Sequence, residues 1–181
     1  MKRISLTMVR QDLNNIPTFA FPPNYRVRNY KPGEEHIWAD IEVSVGEFED
    51  KTAGLKHFDK EFGSFPEDMS ARCLFIENED GKVIGTTTAW YGAFQGEEAW
   101  GRIHWVAVHP DYQGQKLAKP LLSAALQILS HYHKKAYLTT QTTSYQAINM
   151  YLNYGFEPLI TKSDCLEGWR LLEEALHRKM V

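Results

Sequence analysis

The sequence feature that most constrains the fold is a strand-like segment that leads through a short turn into a long amphipathic helix. Residues 103–108 are mostly apolar and strand-favouring, as expected for a buried strand. The turn residues His109-Pro110-Asp111 then end the strand. Because a strand needs neighbours and an amphipathic helix needs a face to cover, this unit predicts a domain that combines a sheet with helices. The helix follows from the spacing of Leu117, Leu121, Ala125, Ile128, Leu129 and Tyr132.

The apolar pattern elsewhere predicts a mixed sheet flanked by helices, which is an α+β domain. A hairpin is the clearest element, because Asp80-Gly81 separates two strand-like runs at 73–76 and 83–91. Further strands are predicted at 25–30, at 136–140 and from Phe156, and further helices from Glu34, around Phe58 and Phe62, over 147–152 and over 166–176.

Length, charge and cysteine content limit the classes of function. The 181 residues suit one domain, and residues 1–24 are predicted to be an N-terminal extension to a domain at 25–181. The 20 Lys and Arg against 23 Asp and Glu leave a net charge of -3, which disfavours a dedicated nucleic-acid-binding protein. No apolar run approaches the roughly 20 residues of a membrane span, and the N-terminus lacks a signal-peptide core, so we expect a cytoplasmic protein with no membrane partner. Cys73 and Cys165 are expected to be reduced thiols, and no metal-ligand spacing surrounds them.

The turn before the long helix has the character of an anion-binding site. Gly114 lets a ligand approach the main chain closely, and the N–H groups at a helix start favour negative charge. Pro120 is tolerated only in the first turn of a helix, so we expect the regular helix to begin near Leu117. The amides of Gly114, Gln115 and Lys116 would then be exposed donors. A plain loop, or a kink caused by the proline, is the alternative.

This strand, turn and helix resemble the core motif of the GCN5-related N-acetyltransferase (GNAT) family. The family pattern is Q/R-x-x-G-x-G/A, and here Gln113 stands first and Ala118 last. Later in the chain, Ser144 to Phe156 resembles the family's later helix with its terminal Gly-Phe. The resemblance covers residues 25–160. Other segments resemble those of a little-characterised bacterial branch of the family: Asn15-Ile16-Pro17, Tyr25-Arg26-Val27-Arg28, Pro32-Gly33 and Trp169-Arg170.

The resemblance implies a single-domain GNAT-like fold, with a mixed, mostly antiparallel sheet that is splayed at the core strand and flanked by helices. It implies acetyl-CoA as the cosubstrate and no metal. In the family the pantetheine arm pairs with the main chain of the core strand, and the turn amides hold the pyrophosphate. The residues that the resemblance assigns to acetyl-CoA are Val106, Ala107, Val108, Gln113, Gly114, Gln115, Lys116, Leu117, Ala118, Lys119 and Ser144.

Two of these residues depart from the family pattern. Lys116 occupies a position where the pattern has Gly, and a non-Gly residue at positive φ is strained. Either φ is negative at Lys116, or the local geometry of the turn differs. The Lys116 ammonium could add a charge toward phosphate or remain solvated. Ser144 stands where many relatives carry Asn, and its hydroxyl can keep a weaker hydrogen bond to the cofactor arm.

Acetyl transfer to an amine needs a donor for the leaving thiolate and a route for the amine proton. By resemblance, Tyr151 falls at the position of the family's general acid, and a structural role in the core is the alternative. An alkyl ammonium has a pKa near 10.4, so a base or a desolvating pocket must supply the free amine. Some relatives carry a catalytic Glu at the positions of Arg102 and Thr139, and this chain therefore lacks those bases.

Three residues remain as candidates for the base. His104 lies on the core strand, and histidine titrates in the range that suits proton transfer. Glu97 and Glu98 precede that strand in a predicted loop at 91–101. A structural histidine, two solvated carboxylates, and a mechanism that uses water or no dedicated base are the alternatives.

Together these features predict an N-acetyltransferase, an acyltransferase of groups other than aminoacyl groups, that acts by direct attack of a primary amine on the thioester. The acceptor would be a small-molecule or peptide amine, selected by residues 36–65 and 91–101. The alternative is a non-catalytic acyl-CoA-binding or regulatory module with the same fold, suggested by Lys116, Ser144 and the lack of an obvious base. Homodimers are common in the family that this chain resembles, and the sequence leaves the oligomeric state open.

Overall fold

A computed structural model describes residues 1–181, except for the side chain of Glu98. Within these residues the regular structure comprises seven β-strands and six α-helices. The strands are β1 (Ser5–Arg10), β2 (Tyr25–Asn29), β3 (Cys73–Asn78), β4 (Val83–Phe94), β5 (Glu97–Val108), β6 (Lys135–Gln141) and β7 (Glu157–Leu159). The helices are α1 (Glu35–Ser44), α2 (Lys51–Phe62), α3 (Pro66–Arg72), α4 (Ala118–Tyr132), α5 (Tyr145–Asn153) and α6 (Ser163–Leu176).

The strands form a mixed, mostly antiparallel sheet in the order β2-β3-β4-β5-β6-β1-β7. The registers of β2 with β3, β3 with β4, β1 with β6 and β1 with β7 are antiparallel. Strands β5 and β6 pair in parallel, as expected when a helix, here α4, connects two neighbouring strands. This arrangement confirms the predicted α+β fold with a mixed sheet flanked by helices.

Two compact units make up the chain. The first comprises Thr18–Trp90 and Ile103–Ile128 and contains α1, α2, α3 and most of α4, so we call it the α1–α4 unit. The second comprises Met1–Pro17, Tyr91–Arg102 and Leu129–Val181 and contains α5 and α6, so we call it the α5–α6 unit. Each unit has buried apolar residues of its own.

The α1–α4 unit has an aromatic core between α1 and α2. Trp38 on α1 is fully buried, and its ring centre lies 5.3 Å from that of Phe58 and 6.0 Å from that of Phe62 on α2. The N-terminus of α2 is capped by Asp50, whose carboxylate accepts the N–H of Ala53 at 2.8 Å. These contacts explain the apolar spacing that predicts both helices, and both predictions are confirmed.

Strand β1 places the N-terminal segment inside the sheet of the α5–α6 unit. It pairs with β6 over its whole length and with β7 on its other side. Leu6 and Met8 are buried, and the guanidinium of Arg10 donates to the main-chain oxygen of Tyr154 at 2.6 Å. Residues 5–10, which lie within the predicted extension 1–24, therefore form a strand of this sheet. The alternation of Leu6 and Met8 is the sequence pattern that indicates this strand.

Strands β4 and β5 form a hairpin where the sequence predicts a loop at 91–101. The two residues between them, Gln95 and Gly96, have φ of +54° and +78°. Positive φ at both central residues is the requirement of a tight type I′ turn, which holds two strands in register. Beside this turn, Phe94 stacks on Tyr137 with ring centres 4.5 Å apart. The loop prediction is therefore wrong.

Other local predictions are confirmed. Asp80-Gly81 forms the turn between β3 and β4, with Gly81 at φ +78°. Gly155 follows α5 with φ +76°, in the left-handed conformation expected at a helix C-terminus. Cys73 and Cys165 are free thiols. None of the helices within residues 1–181 combines the length and apolar character that crossing a membrane requires.

Candidate active site

The loop before α4 has a left-handed backbone at two positions. Gly114 has φ +76° and Lys116 has φ +62°. Of the two alternatives left open by the sequence, a negative φ at Lys116 is therefore excluded. A non-Gly residue in this conformation costs about 1–2 kcal/mol, because its Cβ approaches the following carbonyl oxygen. Lys116 therefore has a strained backbone conformation at the position where the family motif has Gly.

Helix α4 begins at Ala118, one residue after the expected start, and Pro120 lies in its first turn. A proline there removes no helical hydrogen bond, because the first N–H groups have no partner within the helix. Gly114, Gln115 and Lys116 are exposed. Among the backbone hydrogen bonds of the described residues, the amides of these three donate to no carbonyl. The loop at the start of α4 therefore has a row of N–H groups in exposed residues that no main-chain carbonyl of the described residues accepts, as an anion site requires.

Side chains hold this loop on both sides. The amide of Gln113 donates to the main-chain oxygen of Val108 at 3.0 Å and so ties the loop to the end of β5. The Oε1 atom of Gln115 accepts a hydrogen bond from the hydroxyl of Tyr25. Leu117, which is 2% exposed, anchors the loop in the apolar interior. These contacts stabilise the conformation of the loop without using its exposed amides.

Lys119 lies in the first turn of α4, next to an exposed aromatic ring. Its ammonium is 5.4 Å from the ring centre of Phe19, a distance at which a cation is attracted to an aromatic face. The predicted cofactor residues 113–119 therefore lie together at the start of α4, within the α1–α4 unit. Their contact with acetyl-CoA stays a prediction.

The three strand residues expected to contact pantetheine, Val106–Val108, form the end of β5. Strand β4 approaches them closely, because a Cβ on Gly85 would lie 3.1 Å from the main-chain oxygen of Ala107. The parallel register of β5 with β6 ends at Arg102, whereas β5 itself continues to Val108. The main-chain groups of Val106–Val108 therefore lie past Arg102, the last residue of β5 that is in register with β6.

Tyr151 and Ser144 lie in the α5–α6 unit. Tyr151 on α5 is 6% exposed, and its ring lies 6.0 Å from that of Phe156. Burial raises the pKa of Tyr151 to about 12, so the hydroxyl stays protonated at neutral pH and can act as a donor. The hydroxyl of Ser144 accepts a hydrogen bond from the side-chain amide of Gln141 at 3.3 Å. Their roles in the reaction stay predictions.

His104 is held by a carboxylate that the sequence reasoning missed. The Nε2 atom of His104 lies 2.5 Å from Oε1 of Glu61, and the His104 side chain is 11% exposed. Burial alone would raise the pKa of Glu61, but hydrogen bonds from His104, Trp105 and His57 and the charge of His104 lower it to about 2. Glu61 is therefore ionised at neutral pH.

Trp105 has φ +52° in the middle of β5. In a regular strand, consecutive side chains point to opposite faces of the sheet. Here the indole N–H of Trp105 donates to Oε2 of Glu61 at 3.0 Å, while the neighbouring His104 binds Oε1. The left-handed residue, as in a β-bulge, thus lets two consecutive side chains reach one carboxylate.

His57 is the third donor to Glu61. Its Nε2 atom lies 2.8 Å from Oε2 of Glu61, one helical turn away on α2. The i,i+4 spacing of these two residues, on a helix whose Phe58 and Phe62 are buried, is the sequence signal that could have found them. Among the described residues, no group of three or more His, Cys, Asp or Glu side chains is arranged to hold a metal ion.

The other candidates for the base lie at the start of β5. Glu97 pairs with Lys135 at 3.0 Å, and this hydrogen bond and charge lower the pKa of Glu97. The side chain of Glu98 lies outside the described residues. Arg102, further along β5, donates to the hydroxyl of Thr139 at 3.0 Å. A carboxylate with a lowered pKa is a weak base, so Glu97 is less suited to proton transfer than His104.

Comparison with known families identifies this architecture. The model of the acetyltransferase (GNAT) family matches residues 37–156, well over half of the chain. The chain belongs to the GNAT acetyltransferase family. This GNAT span includes the loop before α4, Glu61, His104 and Tyr151. Membership supports acyl transfer from an acyl-CoA cosubstrate.

Solved GNAT structures share the fold at low sequence identity. The GCN5-related N-acetyltransferase from Sphaerobacter thermophilus is 20% identical, with a TM-score of 0.69 over 87% of this chain and 49% of that chain. The GNAT acetyltransferase from Colwellia psychrerythraea is 10% identical, with a TM-score of 0.64 over 87% and 54%. A tandem GNAT protein from the clavulanic acid biosynthesis pathway is 18% identical, with a TM-score of 0.60 over 85% and 50%. The chain therefore spans about half the length of these proteins. No curated protein matches it.

Proposed function

We propose that the chain is an acetyl-CoA-dependent N-acetyltransferase that transfers the acetyl group to a primary amine by direct attack. The observation that carries this proposal is the loop before α4, where Gly114 and Lys116 both have positive φ and the amides of the exposed residues 114–116 donate to no main-chain carbonyl of the described residues. Backbone N–H groups at a helix start bind phosphate through hydrogen bonds and the helix dipole. Strained backbone conformations occur mainly at functional sites, so the positive φ of Lys116 supports a loop that is shaped to bind a ligand.

In this proposal the loop holds the pyrophosphate of acetyl-CoA through the amides of residues 114–119. The pantetheine arm pairs with the main chain of Val106–Val108, beyond the register of β5 with β6. The hydroxyl of Ser144 supplies a further hydrogen bond to the arm. Lys116 adds a positive charge beside the phosphates, which a lysine binds as a point charge.

The chemistry needs one proton acceptor and one donor. The ammonium form of the acceptor loses a proton to His104, the imidazolium so formed is stabilised by the Glu61 carboxylate, and His104 releases this proton to solvent after the reaction. The amine nitrogen then attacks the thioester carbonyl, a C–N bond forms and the C–S bond breaks. Tyr151 donates its hydroxyl proton toward the departing sulfur and recovers a proton as the amide nitrogen is deprotonated.

A covalent enzyme intermediate is not part of this proposal. Cys73 is fully buried, and burial raises the pKa of its thiol to about 11. The nucleophilic form of cysteine is the thiolate, which is scarce at neutral pH when the pKa is raised. Direct transfer in a single complex is therefore the simpler route.

Thermal unfolding with acetyl-CoA tests the cofactor site. Ligand at about 100 times its dissociation constant should add roughly 2.7 kcal/mol of stability, which is about 5–10 °C in Tm for a domain of this size. CoA alone and adenosine diphosphate serve as controls. No shift at millimolar acetyl-CoA would contradict a pyrophosphate site in the loop.

Replacement of Tyr151 tests the chemistry. Tyr151→Phe should lose about 100-fold or more of the thiol release from acetyl-CoA with a panel of amines, while the thermal shift with acetyl-CoA is unchanged. Tyr145→Phe is the matched control, because Tyr145 is 42% exposed on the same helix. Near-normal turnover in Tyr151→Phe would remove this residue from the mechanism. A stabilised wild-type protein that releases no thiol with any amine would instead fit the non-catalytic acyl-CoA-binding module.

A further inference from the structure

Glu61 is an anionic group with no matching fixed cation. Its side chain is 24% exposed near the end of α2, and its ion-pair partners among the described residues are His57 and His104, with no Lys or Arg. Asp40 of the same unit, in contrast, pairs with the ammonium of Lys51 at 2.8 Å. Because a histidine is charged only when protonated, no permanently charged side chain neutralises the half-buried Glu61 carboxylate.

The carboxylate of Glu61 has room for one more donor. Oε2 accepts hydrogen bonds from His57 at 2.8 Å and Trp105 at 3.0 Å, whereas Oε1 contacts His104 alone at 2.5 Å. An ionised carboxylate offers about four lone-pair sites over its two oxygens. A ligand N–H can therefore bind at Oε1 without displacing a protein donor.

Three aromatic rings form a partly exposed surface beside this carboxylate. The ring centres of Phe48 and Trp105 lie 5.4 Å apart, and the ring of His57 lies 5.1 Å from each of them. We call Phe48, His57 and Trp105 the three-ring cluster. None of the three is fully buried. Aromatic faces attract cations and also cover apolar groups of a ligand.

We propose that Glu61 and the three-ring cluster bind the acceptor as a primary ammonium ion carried on an aromatic or apolar body. This inference rests on the proposed function, because it names the acceptor class of that transfer. The ammonium group donates to Oε1 of Glu61, and the body of the acceptor packs on the three rings. An acceptor that carries a carboxylate beside its amine is disfavoured, because its negative charge meets that of Glu61.

Calorimetric titration tests this site without requiring turnover. Phenethylamine, propylamine and phenylalanine are titrated into the full chain, with and without CoA, which cannot donate an acetyl group. We expect phenethylamine to bind at least about tenfold more tightly than propylamine, which lacks a ring, and than phenylalanine, which adds a carboxylate. Equal affinities for the three compounds would overturn the proposal.

Variants separate the roles of charge and ring. Glu61→Gln should weaken phenethylamine binding by about tenfold or more, while Asp59→Asn, an exposed carboxylate on the same helix, should leave it unchanged. Phe48→Leu keeps an apolar side chain without the ring and should weaken phenethylamine more than propylamine. This second variant keeps the test decisive if Glu61→Gln fails to fold. Unchanged binding in a folded Glu61→Gln protein would refute the site.

Thiol release distinguishes this inference from the proposed function. Binding of phenethylamine that depends on Glu61, with no thiol release from acetyl-CoA, supports the amine site and refutes the transferase. Thiol release with phenylalanine or propylamine but not with phenethylamine supports the transferase and overturns the acceptor class proposed here. Release with phenethylamine that falls in Glu61→Gln through a higher KM supports both.

Discussion

Replacing Glu42 by Gln should remove a pH-dependent loss of stability. Glu42 lies on α1 and is 1% exposed, and its Oε1 atom has no hydrogen-bond partner among the described residues. Burial, with a smaller contribution from the charge of Glu47, raises the pKa of Glu42 to about 8. The native protein therefore holds this carboxyl protonated at neutral pH, whereas the unfolded chain ionises it.

The sign and size of the effect follow from proton linkage. Because the folded state binds the proton more tightly, the free energy of unfolding falls as pH rises from the ordinary pKa of 4.5 through the raised pKa of about 8. At about 1.36 kcal/mol per pH unit, the loss between about pH 5 and about pH 8 is roughly 3–4 kcal/mol. For a domain of this size that is roughly 10 °C in Tm.

Urea unfolding of wild type and Glu42→Gln at about pH 5 and about pH 8 measures this difference. The two proteins differ at this one residue, so the contributions of the other titratable groups cancel when the two are compared. The free energy of unfolding of the variant minus that of wild type should rise by roughly 3–4 kcal/mol from about pH 5 to about pH 8. The exposed Glu49→Gln serves as the control and should show little gain. The same pH dependence in wild type and Glu42→Gln would refute the buried, protonated carboxyl.

Three further substitutions test other parts of the structure. Lys116→Gly should stabilise the protein by up to about 1 kcal/mol in calorimetry, because relief of the positive φ exceeds the added chain entropy; a loss of stability would show that the lysine side chain contributes contacts of its own. Met8→Ala should cost about 2–5 kcal/mol in urea unfolding, because Met8 is fully buried on β1; a cost below about 0.5 kcal/mol would contradict the place of β1 in the sheet. Wild type should lose stability as pH falls from 4.5 toward about 2, where Glu61 is protonated, and acid titration of Glu61→Gln should lack that part of the loss; identical acid profiles would contradict the lowered pKa.

Local turn chemistry explains the predictions that are confirmed. The Asp80-Gly81 hairpin, the left-handed Gly155 and the position of Pro120 in a first turn each depend on the φ preferences of one or two residues. The helices follow likewise from apolar spacing that a single amphipathic face requires. Such signals act within a few residues, so the amino-acid order is enough to find them.

The missed elements depend on partners that are distant in sequence. Strand β1 is short and gains its hydrogen bonds from β6 and β7, more than a hundred residues later. The turn at Gln95-Gly96 lacks the Asn or Asp that usually marks a type I′ hairpin. Helix α3 begins at Pro66, where the sequence pattern predicts no helix although proline is favoured at a first helical position.

The candidate site divides in the same way. Residues 113–119 are contiguous, so their motif is visible in the sequence and their place at the start of α4 follows from it. Glu61 lies 43 residues before His104, and no local pattern connects them. Their contact requires both the packing of α2 on β5 and the left-handed turn of the strand at Trp105.

Local patterns in the sequence are enough to indicate the family, the α+β class and the position of the loop before α4, because each follows from residues that are close along the chain. The folded structure is needed to show that residues 5–10 form a strand of the sheet and that Lys116 has a backbone conformation suited to Gly. It is also needed to show that Glu61 contacts His104. The physical reason is that strand pairing, burial of a carboxyl and the convergence of side chains are set by contacts between distant segments. Those contacts determine the charge state of the site, and so the chemistry that it can perform.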